Sequence, residues 1–258
     1  MSRHDRELLN AVLRSDFETF IQSCFETVNP GEQYHHNWHI GAIAFVLEQI
    51  RLGEINRLII NLPPRYLKSV IVSVAFPAFV LGHDPTRKII AISYGNDLSL
   101  KFARDFRSIL TSKRYRSAFP NMRISRSVDD ELTTSRAGFR RATSVTGTLT
   151  GIGGNLIIID DPQKALDAQS EARRNTLNQW PATTLLSRLD NKKTDAIILV
   201  QQRVHENDLS GHFIQNSRSC GLLGFPTGRK SDSRLLLEAA MGVLERLILS
   251  EQQWERIA

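Results

Sequence analysis

The sequence predicts an α/β fold in which a mostly parallel sheet carries helices on both faces. Three observations lead there. Four short segments, residues 57–62, 88–93, 156–159 and 195–201, are apolar without alternation, as strands buried on both faces are. Segments of helical periodicity lie between them, the order expected of a parallel sheet built from crossover units. Polar residues suited to chemistry follow the strands: Arg65 and Lys68 after the first, Asp160 and Asp161 after a later one, Gln202 and Arg203 after the last. In parallel sheets ligands bind at the carboxyl ends of the strands, so these residues mark one candidate site.

Each element has a local reason. Leu9, Val12, Leu13, Phe20, Ile21 and Cys24 fall at helical spacing and predict one N-terminal helix over residues 5–28, within an N-terminal segment 1–30; Asn29-Pro30-Gly31 ends it. Residues 38–52 predict a second helix, closed by Gly53. Pro63-Pro64 stops the first strand, and residues 68–81 read as a helix kinked at Pro77. A helix over 98–110 follows the strand at 88–93. Residues 112–141 are less regular, and 146–154, rich in Gly and Thr, form a loop. Residues 165–189 are helical with an interruption at Pro181. The main domain is expected over 31–216. Residues 217–258 read as a linker followed by a helical tail, on which Leu235, Leu236, Leu237, Met241, Leu244, Leu247 and Ile248 make one apolar face.

The 258 residues suffice for a large core. The net charge of +6 suits a polyanionic partner without requiring one. Cys24 and Cys220 are too few for a disulfide framework, and no signal-like apolar run is present, so a cytoplasmic protein is expected.

Residues 62–69, Leu-Pro-Pro-Arg-Tyr-Leu-Lys-Ser, join a strand to a helix. A phosphate loop needs a tight turn there, a Lys for the β- and γ-phosphates and a hydroxyl for Mg²⁺; Lys68 and Ser69 supply the last two. The general pattern has glycine at the positions of Leu62 and Leu67, and a Cβ at Leu67 is awkward where backbone wraps a phosphate. The competing reading is a strand–helix connection with an exposed Lys. Asp160 and Asp161 end an apolar strand 92 and 93 residues after Lys68. The first suits a Mg²⁺ ligand and the second a base for the attacking water, or else the pair is a solvated strand end.

Five runs together resemble the large terminase subunit of tailed phages and prophages: residues 61–69, Ile92-Ser93-Tyr94, residues 147–151, Ile158-Ile159-Asp160-Asp161-Pro162, and residues 202–211. They occur in that family's order over roughly residues 30–215. The Pro-Pro-Arg-x-x-Lys-Ser loop is the family's own deviation from the glycine pattern. The resemblance implies a P-loop NTPase of the additional-strand, catalytic-acid class that hydrolyses ATP to translocate DNA into a procapsid. ATP and Mg²⁺ are then the ligands. Pro64, Arg65, Leu67, Lys68 and Ser69 form the phosphate loop; Ser69 and Asp160 match the Mg²⁺ residues; Asp161 matches the catalytic acid, where many relatives carry Glu. Gln202 and Arg203 match a coupling motif, and Trp38 and His39 fall in the adenine-contacting region. Arg65 is an arginine finger or the partner of a nearby carboxylate. The implied partners are double-stranded DNA, a small terminase subunit and a portal protein, with the chain in a homo-oligomeric ring in the bacterial cytoplasm.

Between Lys101 and Arg126 eight basic residues face one acid, Asp105. Of these Arg104, Arg107, Arg114 and Arg116 are candidates for sequence-independent contact with DNA phosphates, against a solvated helix face. His35, His36 and His39 lack companions at metal-ligand spacing. After His212 only 46 residues remain, too few for a nuclease domain, so no nuclease activity is expected. The other readings left open are a prophage remnant that binds DNA without turnover and a helicase-like remodelling ATPase.

Overall fold

The computed structural model describes residues 2–147 and 151–216. The predicted linker and tail over 217–258, and residues 148–150 of the run 147–151, lie outside the described residues.

Two helices open the chain, α1 (Arg3–Ser15) and α2 (Phe17–Val28), where one was predicted over residues 5–28. Asp16 makes the break. Its backbone is extended, and its carboxylate accepts from the backbone amides of Glu18 and Thr19, capping the second helix. Helix α3 (Trp38–Leu52) ends as expected at Gly53, which takes the left-handed conformation. Strand β1 (Arg57–Asn61) leads into a helix that starts at Lys68, widens to a π-helical turn over Val70–Ala75 and continues as α4 (Phe76–His83). The helix thus widens just ahead of Pro77, where a kink was expected.

Strand β2 (Lys88–Ser93) and helices α5 (Asn96–Thr111) and α6 (Lys113–Ala118) follow. The stretch that looked irregular contains α6, the strands β3 (Ile124–Ser127) and β4 (Glu131–Thr134), and the start of β5 (Phe139–Ser144). Strand β6 is Leu156–Asp160, α7 is Ala165–Ala168 and α8 is Glu171–Trp180, prolonged by a π-helical turn at Pro181–Leu185 and a 3-10 turn at Leu186–Arg188. Strand β7 (Ala196–Gln201) and helix α9 (Leu209–Asn216) complete the described residues.

The seven strands form one sheet in the order β1-β7-β6-β2-β5-β4-β3. The first five are parallel; β4 and β3 add an antiparallel edge. Alternate residues of the central strands enter different cores. Leu58, Ile60, Leu156, Ile158 and Ile198 pack beneath α1–α5, whereas Ile157, Ile159, Ile197 and Leu199 pack against Leu177, Leu185 and Leu209 on the other face. Burial on both faces explains why these strands read as unbroken apolar runs. Truncating Ile158, which is fully buried, to Ala costs about 2–5 kcal/mol.

Candidate active site

Strand β7 lies between β1 and β6, pairing Asn61 with Gln201 and Asp160 with Val200. All three strands run the same way, so the loop after β1, the acids ending β6 and Gln202-Arg203 after β7 emerge at one sheet edge. One strand, β7, thus stands between the loop strand and the acid strand.

The loop after β1 takes the backbone shape of a glycine loop without its glycines. Arg65 has φ 69° and Leu67 has φ 58°, both left-handed. Each such residue costs about 1–2 kcal/mol, strain that a chain keeps where the surroundings over-determine it. The objection to Leu67 is thus met by strain: its backbone does what glycine's would, and its side chain packs against the larger core. Asp161 has φ 43°, so three of the four left-handed non-glycine residues among those described meet at this edge. Behind the loop, the buried His39 places Nε2 3.3 Å from the Tyr66 carbonyl, and burial holds its pKa below the usual value. The neighbouring Trp38 is half exposed beside the His39 ring.

The two halves of the candidate site touch. Ser69 Oγ donates to Asp160 Oδ1 at 3.1 Å, and Ser73 Oγ donates to Asp160 Oδ2 at 2.6 Å. Asp160 is 1% exposed; burial first, then the neighbouring Asp161, raises its pKa to about 7. Lys68 Nζ lies 2.9 Å from Asp161 Oδ2, while Asp161 Oδ1 accepts from the Gln202 amide at 2.9 Å. Asp161 thus links Lys68 to the segment after β7. A hydroxyl beside a buried carboxylate is an all-oxygen donor set, which fits Mg²⁺ with its remaining positions on water and phosphate.

Other predicted residues stand apart from this cluster. Pro64 and Arg65 are exposed, and the structure gives Arg65 no carboxylate partner among the described residues. The Gln202 side chain is also exposed. Arg203 turns into its own loop: Nε sits 3.0 Å from Asp208 Oδ1, and Nη2 donates to the His205 and Glu206 carbonyls. The buried Asp208, which the sequence reading passed over, also accepts from the amides of Val204 and Gly211. Gly211 is required there, because a Cβ would fall 1.8 Å from the Glu206 carbonyl oxygen.

The basic stretch divides. Arg104 and Arg116 are exposed on α5 and α6. Arg107 instead binds Ser127 Oγ and the Val128 carbonyl, and Arg114 pairs with Glu26 at 2.7 Å. Sequence reading also missed Ser73 and Arg140. Only an i+4 serine after Ser69 on the helix hinted at the first, and charge argued against burial of the second.

No protein-family model matches this sequence, and no curated protein does. Among solved structures, the crystal structure of the HK97 bacteriophage large terminase is similar over 99% of this chain, with a TM-score of 0.52 and 14% sequence identity. The fold is that of a phage large terminase. The chain spans 51% of the length of the HK97 terminase. No helix among the described residues is long and apolar enough to cross a membrane.

Proposed function

We propose that this chain is the ATP-hydrolysing part of a DNA-packaging motor, as the terminase fold suggests. The observation that carries the reading is the convergence of Lys68-Ser69 with Asp160-Asp161, at 2.9 and 3.1 Å, across an inserted strand. ATP binds over the loop at residues 63–69. Lys68 exchanges Asp161 for the β- and γ-phosphates, and the helix N-terminus at Lys68 adds its dipole. Trp38 offers an aromatic face to adenine. Ser69 and Asp160 would hold Mg²⁺, which would supply charge neutralisation for the phosphates. Asp161, released from Lys68 and still held by the Gln202 amide, orients the attacking water and takes its proton. Arg65 is exposed at the loop and reaches toward transition-state charge as a finger.

The Asp161–Gln202 bond carries the change outward, through Arg203 and Asp208, to α9. Double-stranded DNA is the polymer moved, gripped by its backbone with Arg104 and Arg116 contributing. A ring of copies on a portal protein, fed by a small terminase subunit, is the working assembly, in the cytoplasm of an infected or lysogenic bacterium. The reading is tested by calorimetry with Mg²⁺ and a non-hydrolysable ATP analogue, and by DNA-stimulated phosphate release. Wild type binds and turns over; Lys68→Ala does neither. Equal affinity in the two proteins would refute the site.

A further inference from the structure

The buried face behind Asp160 holds an arrangement that nucleotide binding alone does not explain. Ser73 lies in the π-helical turn ahead of Pro77, which has no amide to donate to the Ser73 carbonyl four residues earlier. Arg140 Nη2, from β5, donates to it at 3.2 Å. Arg140 is 1% exposed, stacks 5.1 Å from the Phe106 ring centroid, and leaves Nε and Nη1 unpartnered. A buried cation with no carboxylate in ion-pair contact is costly; Asp105 and Asp160 act on Arg140 from a distance, and its Nη2 hydrogen bond goes to this carbonyl. That carbonyl belongs to the residue whose hydroxyl makes the 2.6 Å bond to Asp160 Oδ2.

We propose that Ser73, pinned by Arg140, sets which divalent cation the Asp160 site accepts. The short Ser73 bond engages Oδ2 and fixes the rotation of the carboxylate, so Oδ1, beside Ser69, is the oxygen presented to an ion. Single-oxygen coordination suits Mg²⁺, which keeps a small octahedral shell largely of water and phosphate. Ca²⁺ takes more ligands and gains from a carboxylate that turns to offer both oxygens. Ser73 therefore acts as a positioning residue that disfavours Ca²⁺.

This inference rests on the nucleotide reading, and its test separates the two. Affinity for a non-hydrolysable ATP analogue is measured by calorimetry with Mg²⁺, with Ca²⁺ and without metal. In wild type Mg²⁺ supports tighter binding than Ca²⁺. Ser73→Ala raises the Ca²⁺/Mg²⁺ affinity ratio roughly tenfold, the scale of one hydrogen bond to a charged group. It leaves metal-free affinity unchanged, and Ser73→Thr restores the wild-type ratio. Ser73→Cys keeps the volume with a weaker donor and gives the same ratio test if the alanine variant does not fold. Arg140→Met shifts the ratio in the same direction. A ratio unchanged in both Ser73→Ala and Ser73→Cys, with wild type binding normally, overturns this inference alone. Absence of analogue binding in wild type overturns the nucleotide reading and this one with it.

Discussion

Lys68 Nζ lies 2.9 Å from Asp161 Oδ2, so on the proposed reading a nucleotide phosphate would have to compete with Asp161 for that ammonium group. The Lys68 side chain is 8% exposed and the Asp161 side chain 31%, which puts the pair between the weak surface case and the costly buried one. A double-mutant cycle with Lys68→Met and Asp161→Asn, read by denaturant unfolding, is expected to give a coupling of about 1–2 kcal/mol. Saturating Mg²⁺ and ATP analogue should shrink that coupling. A coupling near zero would mean that the two side chains do not depend on each other.

The two acids are expected to have separable phenotypes. Asp160 accepts from Ser69 and Ser73 on the helix after β1, whereas Asp161 faces Lys68 and the Gln202 amide. Asp160→Asn is expected to weaken Mg²⁺-dependent nucleotide binding. Asp161→Asn is expected to keep binding and lower kcat by about 100-fold or more, since orienting a water matters mainly in the transition state. Reversed phenotypes in a paired binding and turnover assay would exchange the roles.

Asp160 also predicts a pH dependence of stability. Its folded pKa is raised to about 7 from an ordinary 3.8. Between those values the native state holds a proton that the unfolded chain releases, so its contribution to stability is present below about pH 4 and is lost as pH rises through 7. Thermal melts without divalent cations should show wild-type Tm falling relative to Asp160→Asn between pH 5 and pH 7.5. Parallel pH profiles for the two proteins would remove Asp160 as the cause.

Leu67 at φ 58° makes a prediction from backbone shape. Glycine adopts that conformation freely and a β-branched residue does so badly. Leu67→Gly should retain nucleotide binding, whereas Leu67→Val should lose about 1–2 kcal/mol of stability and weaken binding. Binding that survives Leu67→Val intact would show that the loop does not need the left-handed turn.

The divided basic stretch gives the last prediction. Arg104→Ala and Arg116→Ala should each lower the slope of log K against log salt for duplex DNA by about 1, without sequence preference. Arg107→Ala and Arg114→Ala should act on thermal stability, because these side chains tie α5 to the β3–β4 turn and α6 to α2. If Arg107 and Arg114 carried the salt slope and Arg104 and Arg116 did not, the division drawn here would be wrong.

How much of this was legible beforehand varies with how local the signal is. The strands β1, β2, β6 and β7 were readable because burial on both faces writes itself as a run of Ile, Leu and Val. Strand β5 was not, because Arg140 and Arg141 stand where apolar residues would have marked it. The break at Asp16 was hidden as well: the apolar spacing continues across it, and only the cap bonds to Glu18 and Thr19 reveal it.

By itself, the sequence determined the α/β class and the residues that follow each parallel strand, and it offered a Lys-Ser loop and a pair of acids as candidates. All of these depend on periodicity and residue type within short windows. Only the tertiary structure decided that β7 separates the loop strand from the acid strand, that Lys68 meets Asp161 while Ser69 and Ser73 meet Asp160, and that Arg140 is buried beneath them. Strand order and long-range hydrogen bonds join residues some 70–90 positions apart, and their energies depend on desolvation and three-dimensional neighbours that no local pattern of residues encodes.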